Sequence, residues 1–345
     1  TALQIALPRA MHASMSEPYR SRVALVTGAS GFVGGRLREA LLGDGWDVIA
    51  LVRPGSPAPR RGRSAGVDYA DVDSLARVLE AEKPELIFHV AGATKGVTQA
   101  DFRAGNLMPT ENLLAATRRV HPGVRRFVHV SSLAAFGPSP RDEPRAEHHE
   151  RRPVEHYGSS KLEAEHAFEA IGDAVAWTMI RPPTVYGPGD VDNFELFRLV
   201  KRGLNVFYGN RETLMSFVYV DDLLRGMREA ADSEATRGKG YFVCDGHPVT
   251  WEAYQRLIVG TSGRSVRDLD LPEFLVDVSA VFGELMTRFD GKPRLFNRQK
   301  AILGHQKAWT CRHDSARSDF GYRPQVELHE GVQRTFDWYR HEGWL

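Results

Sequence analysis

The sequence predicts an α/β fold: a doubly wound parallel sheet with a smaller, discontinuous C-terminal lobe. Three observations carry that prediction. Short, β-branched apolar runs alternate with helically spaced segments from Arg22 to Pro182. A glycine-rich turn, TGASGFVG at 27–34, closes the first run and opens the first helix. Beyond Pro183 the segments become shorter and less periodic, with GPGD at 187–190 at the seam.

Taken in order, VALVTG (23–28) reads as a buried strand and FVGGRLREALL (32–42) as a helix. WDVIALVR (46–53) is a second strand and ELIFHVAG (85–92) another. NLMPTENLLAATRR (106–119) has helical spacing, and VRRFVHVSS (124–132) reads as a strand. YGSSKLEAEHAFEAI (157–171) is a helix and VAWTMIRP (175–182) one more strand. Past the seam, SFVYVDDLLRGMREA (216–230) is a strand running into a helix, and GYFVCDG (240–246) is a short strand. Residues 1–21 lack a basic start followed by a long apolar core, so they do not read as a secretory signal. They are taken as a leader or remnant outside the functional argument.

The glycines at 28, 31 and 34 stand where a dinucleotide-binding turn needs them. Gly28 makes the tight turn, Gly31 lets backbone approach a pyrophosphate, and Gly34 permits close helix packing. Backbone N–H groups of the loop, through Ser30, Phe32 and Val33, then face the phosphates at a helix N-terminus. The organisation follows: a Rossmann-type dinucleotide-binding domain at 22–185, with 216–230 and 240–246 returning to it. A substrate-binding lobe occupies 186–215 and 247–320, and a C-terminal helix region 321–345.

Composition narrows the rest. The chain has 345 residues, with 45 Lys and Arg against 44 Asp and Glu. Such neutrality argues against bulk nucleic-acid or membrane-surface binding. No apolar run is long enough to span a bilayer. Two cysteines, Cys244 and Cys311, make no disulfide framework, which fits a reducing, cytoplasmic compartment. No metal-ligand spacing occurs, and adjacent His148 and His149 point apart, so no metal is expected.

Tyr157 and Lys161, in YGSSK, share one helix face at i and i+4. A nearby ammonium is expected to lower a phenol's pKa from about 10 toward working pH. Such a tyrosine can give or take a proton at a carbonyl or alcohol oxygen.

With TGxxGxxG at 27–34, FVYVDD at 217–222 and GYRPQVELHEGVQRTFDWY at 321–339, the chain resembles the extended short-chain dehydrogenase/reductase family. The resemblance runs from about Arg22 to the C-terminus. It implies further roles. SSLAAFG (131–137) nearly meets the pattern SSxxxYG, with Phe136 in place of Tyr. That match implies Ser132 as the hydroxyl at the reacting oxygen and a structural Ser131. Lys161 would also hold the nicotinamide ribose. Ala91, Gly92 and Ala93 would pass the adenosine side of the cofactor. Asp71 and Val72 resemble the pair that contacts adenine, although Asp71 reads equally as a helix cap. Asn106 matches the family's asparagine, and Pro182 lies in the stretch whose backbone meets the nicotinamide amide. The resemblance also implies a homodimer, through the helices at 106–119 and 157–171.

NAD-preferring sites place an acid at the end of the second strand. Here that strand ends in Arg53, and RPGSPAPRRGR (53–63) holds four arginines and no acid. A planar guanidinium suits a 2′-phosphate. NADP(H) is therefore expected, with NAD(H) the alternative. Arg60, Arg61 and Arg63 also read as plain loop charge.

Within the resemblance, two substrate classes compete: nucleotide sugars, and the lipophilic alcohols and ketones of the 3β-hydroxysteroid dehydrogenase and dihydroflavonol reductase branch. Ser132 is followed by Leu133-Ala134, without the Asp-Glu pair of the family's dehydratases. Thr184 stands where many nucleotide-sugar enzymes carry an asparagine. FLVDVSAVFGELMTRF (274–289) reads as a wide apolar helix: a pocket wall, a contact with a membrane surface, or a plain core helix. RDEPRAEHHERRP (141–153) carries four arginines and four acids and reads as solvated charge. The expected activity is NADP(H)-dependent interconversion of a ketone and a secondary alcohol on a small, fairly apolar metabolite. An NAD-dependent nucleotide-sugar epimerase and a non-catalytic dinucleotide sensor are the alternatives.

Overall fold

Side-chain alternation along the short apolar runs sets the architecture. The computed structural model describes residues 22–56, 59–271 and 306–345. The leader expected at 1–21 and the apolar helix expected at 274–289 lie outside the described residues. The first lobe runs β1 (Val23–Thr27), α1 (Phe32–Gly43), β2 (Asp47–Val52), β3 (Arg63–Gly66), α2 (Val72–Glu82) and β4 (Leu86–His89). It continues with α3 (Gln99–Phe102), α4 (Met108–Val120), β5 (Arg126–Val130), α5 (His156–Ile171) and β6 (Trp177–Arg181). The chain then leaves for β7 (Thr184–Tyr186), α6 (Phe194–Lys201), β8 (Leu204–Tyr208), β9 (Leu214–Met215), β10 (Phe217–Tyr219) and α7 (Val220–Asp232). It returns as β11 (Lys239–Phe242).

Seven of these strands make one sheet in the order β11-β6-β5-β4-β1-β2-β3, every pair parallel. Alternate residues feed opposite cores. Ala24, Val26, Val48, Phe88 and Val128 pack beneath Leu37 of α1 and Leu223 and Met227 of α7. Leu25, Leu51, Ile87 and Phe127 pack beneath Leu79 of α2, Leu113 of α4 and Phe168 of α5. The strand order reverses between β1 and β4, which opens a crevice at the strands' carboxyl ends.

Two local features differ from the sequence expectation. β3 begins inside the segment read as an arginine-rich loop. Its four residues, RSAG, are mostly exposed at the sheet edge and form no apolar run that periodicity could detect. The helix expected from Asn106 begins at Met108, after α3 and a π-turn over Arg103–Leu107. A π-turn rotates one residue off the helical register, and here Asn106 becomes buried.

The second lobe has a core of aromatic rings, including Tyr186, Phe217, Tyr254 and Tyr339. Its remaining elements are β12 (Val249–Thr250), α8 (Trp251–Ser262), β13 (Arg267–Leu271), β14 (Ala308–Trp309), α9 (Asp314–Phe320) and α10 (Leu328–His341). The strands are short and pair as β12-β9-β14, β13-β8 and β10-β7. The segment 141–153 is not simply solvated. Arg151 binds buried Glu165, Arg145 donates to the Pro138 carbonyl, and Glu147 accepts from the Phe242 N–H and the Ser315 hydroxyl. Its charges find partners across the chain that local sequence cannot display. Among the described residues, no helix is long and apolar enough to cross a membrane, and no side-chain group could hold a metal ion.

Candidate active site

The crevice at the strand reversal is a cleft of about 1260 Å³. Its floor is the glycine turn. Gly28 has φ +67°, and a Cβ there would lie 2.8 Å from the Ala91 nitrogen. A Cβ on Gly34 would lie 2.3 Å from the Gly28 carbonyl oxygen. Both glycines are therefore required by close backbone approach. The Gly31 N–H closes the turn on the Gly28 carbonyl at 2.9 Å. Ser30, Gly31, Phe32, Val33 and Gly34 line the cleft. Free backbone donors at a helix start suit a pyrophosphate, so the donor set fits a dinucleotide.

At the far end of the floor, Ser132, Tyr157 and Lys161 all line the same cleft. Ser132 follows β5 and caps a single 3-10 turn, accepting from the Ala134 N–H at 3.1 Å. Its hydroxyl is near enough to the Tyr157 side chain to favour the phenolate. Lys161 is buried and donates to the Val130 carbonyl at 2.9 Å. Burial lowers its pKa to about 8. The phenol behaves opposite to expectation. Burial is the largest effect, and it outweighs the lowering influence of Ser132, so the Tyr157 pKa is pushed up to about 12. Lys161 spends a donor on the backbone, and its charge does not govern the phenol. Tyr157 therefore holds its proton at neutral pH.

Buried side chains lock this arrangement from behind. Glu165, fully buried, accepts from Ser131 at 2.6 Å, from Arg181 at 2.9 and 3.0 Å, and from Arg151 at 2.9 Å. Burial raises its carboxyl, but these donors, Arg181 foremost, more than offset that and hold it below its ordinary pKa. Gly240 leaves the space in which the Arg181 guanidinium sits, since a Cβ there would lie 2.4 Å from it. A second chain of bonds supports β4. Thr110 donates to the Asn106 carbonyl at 2.6 Å, so His89 Nε2 donates to Thr110 and its Nδ1 accepts from Thr27. Burial pushes the His89 pKa down to about 3, so it stays neutral.

Three cofactor residues expected from sequence are not in the cleft wall. Asp71 caps α2 by accepting from the Asp73 N–H at 2.9 Å, and Val72 is the first residue of that helix. The wall at that level is Asp68, Tyr69 and Ala70. Of the two readings given for Asp71, the helix cap is the one present, and the lining residues fall three positions earlier because β3 ends at Gly66 and the residues just past a strand's carboxyl end face the crevice. Asn106 acts one layer back. It accepts from the Ala93 N–H at 2.7 Å and donates to the Ala93 carbonyl and to Ser160. It thereby fixes the 91–93 loop to α5. A Cβ on Gly92 would meet Asn106 Oδ1 at 2.9 Å and Lys161 Nζ at 3.1 Å, so this glycine admits neighbouring side chains. Ala91, Gly92, Ala93 and Pro182 do line the cleft.

The arginines of 53–63 separate clearly. Arg63 pairs with Asp47 at 2.6 Å and Glu82 at 2.9 Å, and Arg61 pairs with Glu39 at 2.9 Å. Arg53 lines the cleft beside Ser56 at the end of β2. Ser56 escaped sequence reasoning because a loop serine carries no periodic signal.

Comparison with known proteins agrees with this geometry. Residues 24–244 match the model of the NAD dependent epimerase/dehydratase family. The chain is 28% identical to the ceramide reductase of Caulobacter vibrioides, over 94% of this chain and 96% of that protein. It is also 28% identical to the UDP-glucose 4-epimerase of Mycolicibacterium smegmatis, over 92% of this chain and 98% of that protein. The solved structure of Thermotoga maritima UDP-glucose 4-epimerase with UDP-glucose superposes with a TM-score of 0.77, at 22% identity, covering 93% of this chain and 99% of that one. A seven-stranded doubly wound sheet, a glycine turn at its reversal and a family match over most of its length lead to one conclusion: the chain belongs to the NAD-dependent epimerase/dehydratase family of extended short-chain dehydrogenases/reductases, and it is an NAD(P)-dependent enzyme.

Proposed function

We propose that the protein is an NADP(H)-dependent reductase that converts a ketone on an apolar molecule to a secondary alcohol. The observation that carries this is the charge of the second-lobe wall. Among the described residues, that wall presents Asp190, Asp192 and Glu195 with Val185, Val191, Leu196, Leu199 and Trp251, and no lysine or arginine. The cations nearby are already engaged, Lys95 with Asp192 at 3.0 Å and Arg198 with Glu195. A nucleoside diphosphate would bring two negative charges to a wall whose described lining residues include three carboxylates and no lysine or arginine. An apolar ketone meets no such penalty. The Caulobacter relative named a ceramide reductase points the same way.

The nicotinamide, when bound, supplies the hydride. Ser132 orients the ketone oxygen through its hydroxyl. Tyr157, protonated at neutral pH, donates its proton to that oxygen as the carbonyl is reduced. Lys161 would hold the ribose hydroxyls. Arg53, with Ser56 beside it, would take the 2′-phosphate.

Nicotinamide absorbance separates this from the epimerase reading. With NADPH and a long-chain β-keto ester, one equivalent of NADPH should be consumed per alcohol formed. Conversion of UDP-glucose with no net change in absorbance, and no turnover of any keto ester, would reverse the assignment.

A further inference from the structure

Helix α5 carries both Tyr157 and Lys161, and its first turn is held in an unusual way. A neutral serine or threonine suffices to cap a helix. Here the cap is Glu155, a carboxylate only 6% exposed. Its side chain accepts from the N–H groups of Tyr157 and Gly158. Among the described residues it forms no salt bridge, so those two amides are what offsets its burial. Burial raises its carboxyl pKa despite them.

The turn so held is pressed against the loop that carries Ser132. A Cβ on Gly158 would lie 2.3 Å from the Ala134 carbonyl oxygen and 2.8 Å from Glu155 Oε1. Ala134 in turn gives its N–H to Ser132. A continuous path therefore runs from the Ser132 hydroxyl through Ala134 and Gly158 to Glu155 and back to Tyr157. No loose joint interrupts it, since Gly158 has no side chain to act as a spacer.

We infer that Glu155 is a positioning residue: it seats the first turn of α5 on the Ser132 turn and so sets the separation of the Ser132 and Tyr157 hydroxyls. This rests on the reductase reading only for its kinetic consequence. The reacting atoms must be held closely, and a misplacement near 1 Å costs about a hundredfold in rate.

The test compares Glu155→Ala with Glu155→Asp and Glu155→Thr, both good caps. In Glu155→Ala, kcat with NADPH and a long-chain β-keto ester should fall by about 10- to 100-fold, while the NADPH Kd stays within about threefold. An intact cofactor Kd also shows that the variant folds. Asp or Thr should restore most of kcat. Amide hydrogen exchange supplies a readout independent of the reaction. Protection of both 131–137 and 156–159 should drop in Glu155→Ala and return in the capped variants. If exchange behaves so while the parent protein reduces no ketone, the positioning role stands and the reductase reading falls. If 131–137 keeps its protection and kcat is unchanged in Glu155→Ala, the positioning role is overturned.

Discussion

The sheet wall and the second-lobe wall of the cleft face each other, but they are assembled differently. The sheet wall is made from backbone and from contiguous motifs: the glycine turn, the end of β2, the 91–93 loop, and the start of α5. Its cations, Arg53 and Lys161, face the cleft. The second-lobe wall is collected from segments 190–199 and 251, which are far apart in sequence, and it is acidic and apolar. Two of its carboxylates, Asp192 and Glu195, are paired with Lys95 and Arg198, which do not themselves line the cleft. The difference teaches that the sheet wall offers cations and backbone donors, while the described part of the second-lobe wall offers carboxylates and apolar side chains, which is what the proposed apolar ketone would meet. Ser132, Tyr157 and Lys161, the residues proposed for the chemistry, line the cleft from the sheet side.

The largest expected effect tests that placement. Tyr157→Phe removes one hydroxyl and keeps the ring that packs edge-on against Phe102 at 6.3 Å. Loss of a general acid costs on the order of 10²- to 10⁴-fold. Turnover should fall by that factor while the cofactor still binds, because the glycine turn and Arg53 are untouched. Turnover near the parent value in a stopped assay would move the proton donor elsewhere and dissolve the comparison.

This division also explains what could be read from sequence. The glycine spacing and the Tyr157–Lys161 spacing are local, and each encodes its own geometry through a turn or a helix face. The Arg53 position could be located because β2 is a clean apolar run. For Asp71 the sequence left a helix cap and a cleft contact open, because β3 is short and exposed and the count from strand end to cleft had no anchor. Asn106 was found as a residue but not as a brace, since the π-turn that buries it leaves no compositional mark. The phenol's pKa was misjudged for a related reason. Spacing shows that an ammonium is near, but not that the phenol is buried, and burial is the largest effect on it. The acidic second-lobe wall was invisible, because its residues converge only through β7, α6 and α8.

A smaller effect sharpens the cofactor half of the comparison. A charge-assisted hydrogen bond is worth about 1.5–3 kcal/mol, roughly ten- to a hundredfold in affinity. Arg53→Ala should weaken NADPH binding by that factor and leave NADH nearly unchanged. Arg61→Ala and Arg63→Ala should do little to either, because both guanidinium groups are spent on Glu39, Asp47 and Glu82. Fluorescence titration with both cofactors reads the difference. Equal losses for NADPH and NADH on Arg53→Ala would remove the 2′-phosphate from this arginine.

The smallest effect concerns Lys161, and its sign is distinctive because two consequences run in opposite directions. Burial brings its pKa from 10.5 down to about 8 in the folded chain. Between those values the unfolded chain binds the proton and the folded chain does not, so this group's contribution to stability rises with pH. Cofactor affinity should move the other way. If the ammonium holds the ribose, binding favours the protonated form, and affinity declines as pH passes upward through about 8, by no more than about tenfold per unit. Lys161→Arg keeps its charge over this range and should flatten the affinity profile. Lys161→Met should lose the stability slope, so the parent gains on it as pH rises toward 10.5. Parallel titrations of melting temperature and NADPH Kd measure both slopes. If both rise together with pH, the buried ammonium is not what the cofactor meets, and the cation on the sheet wall that matters is Arg53 alone.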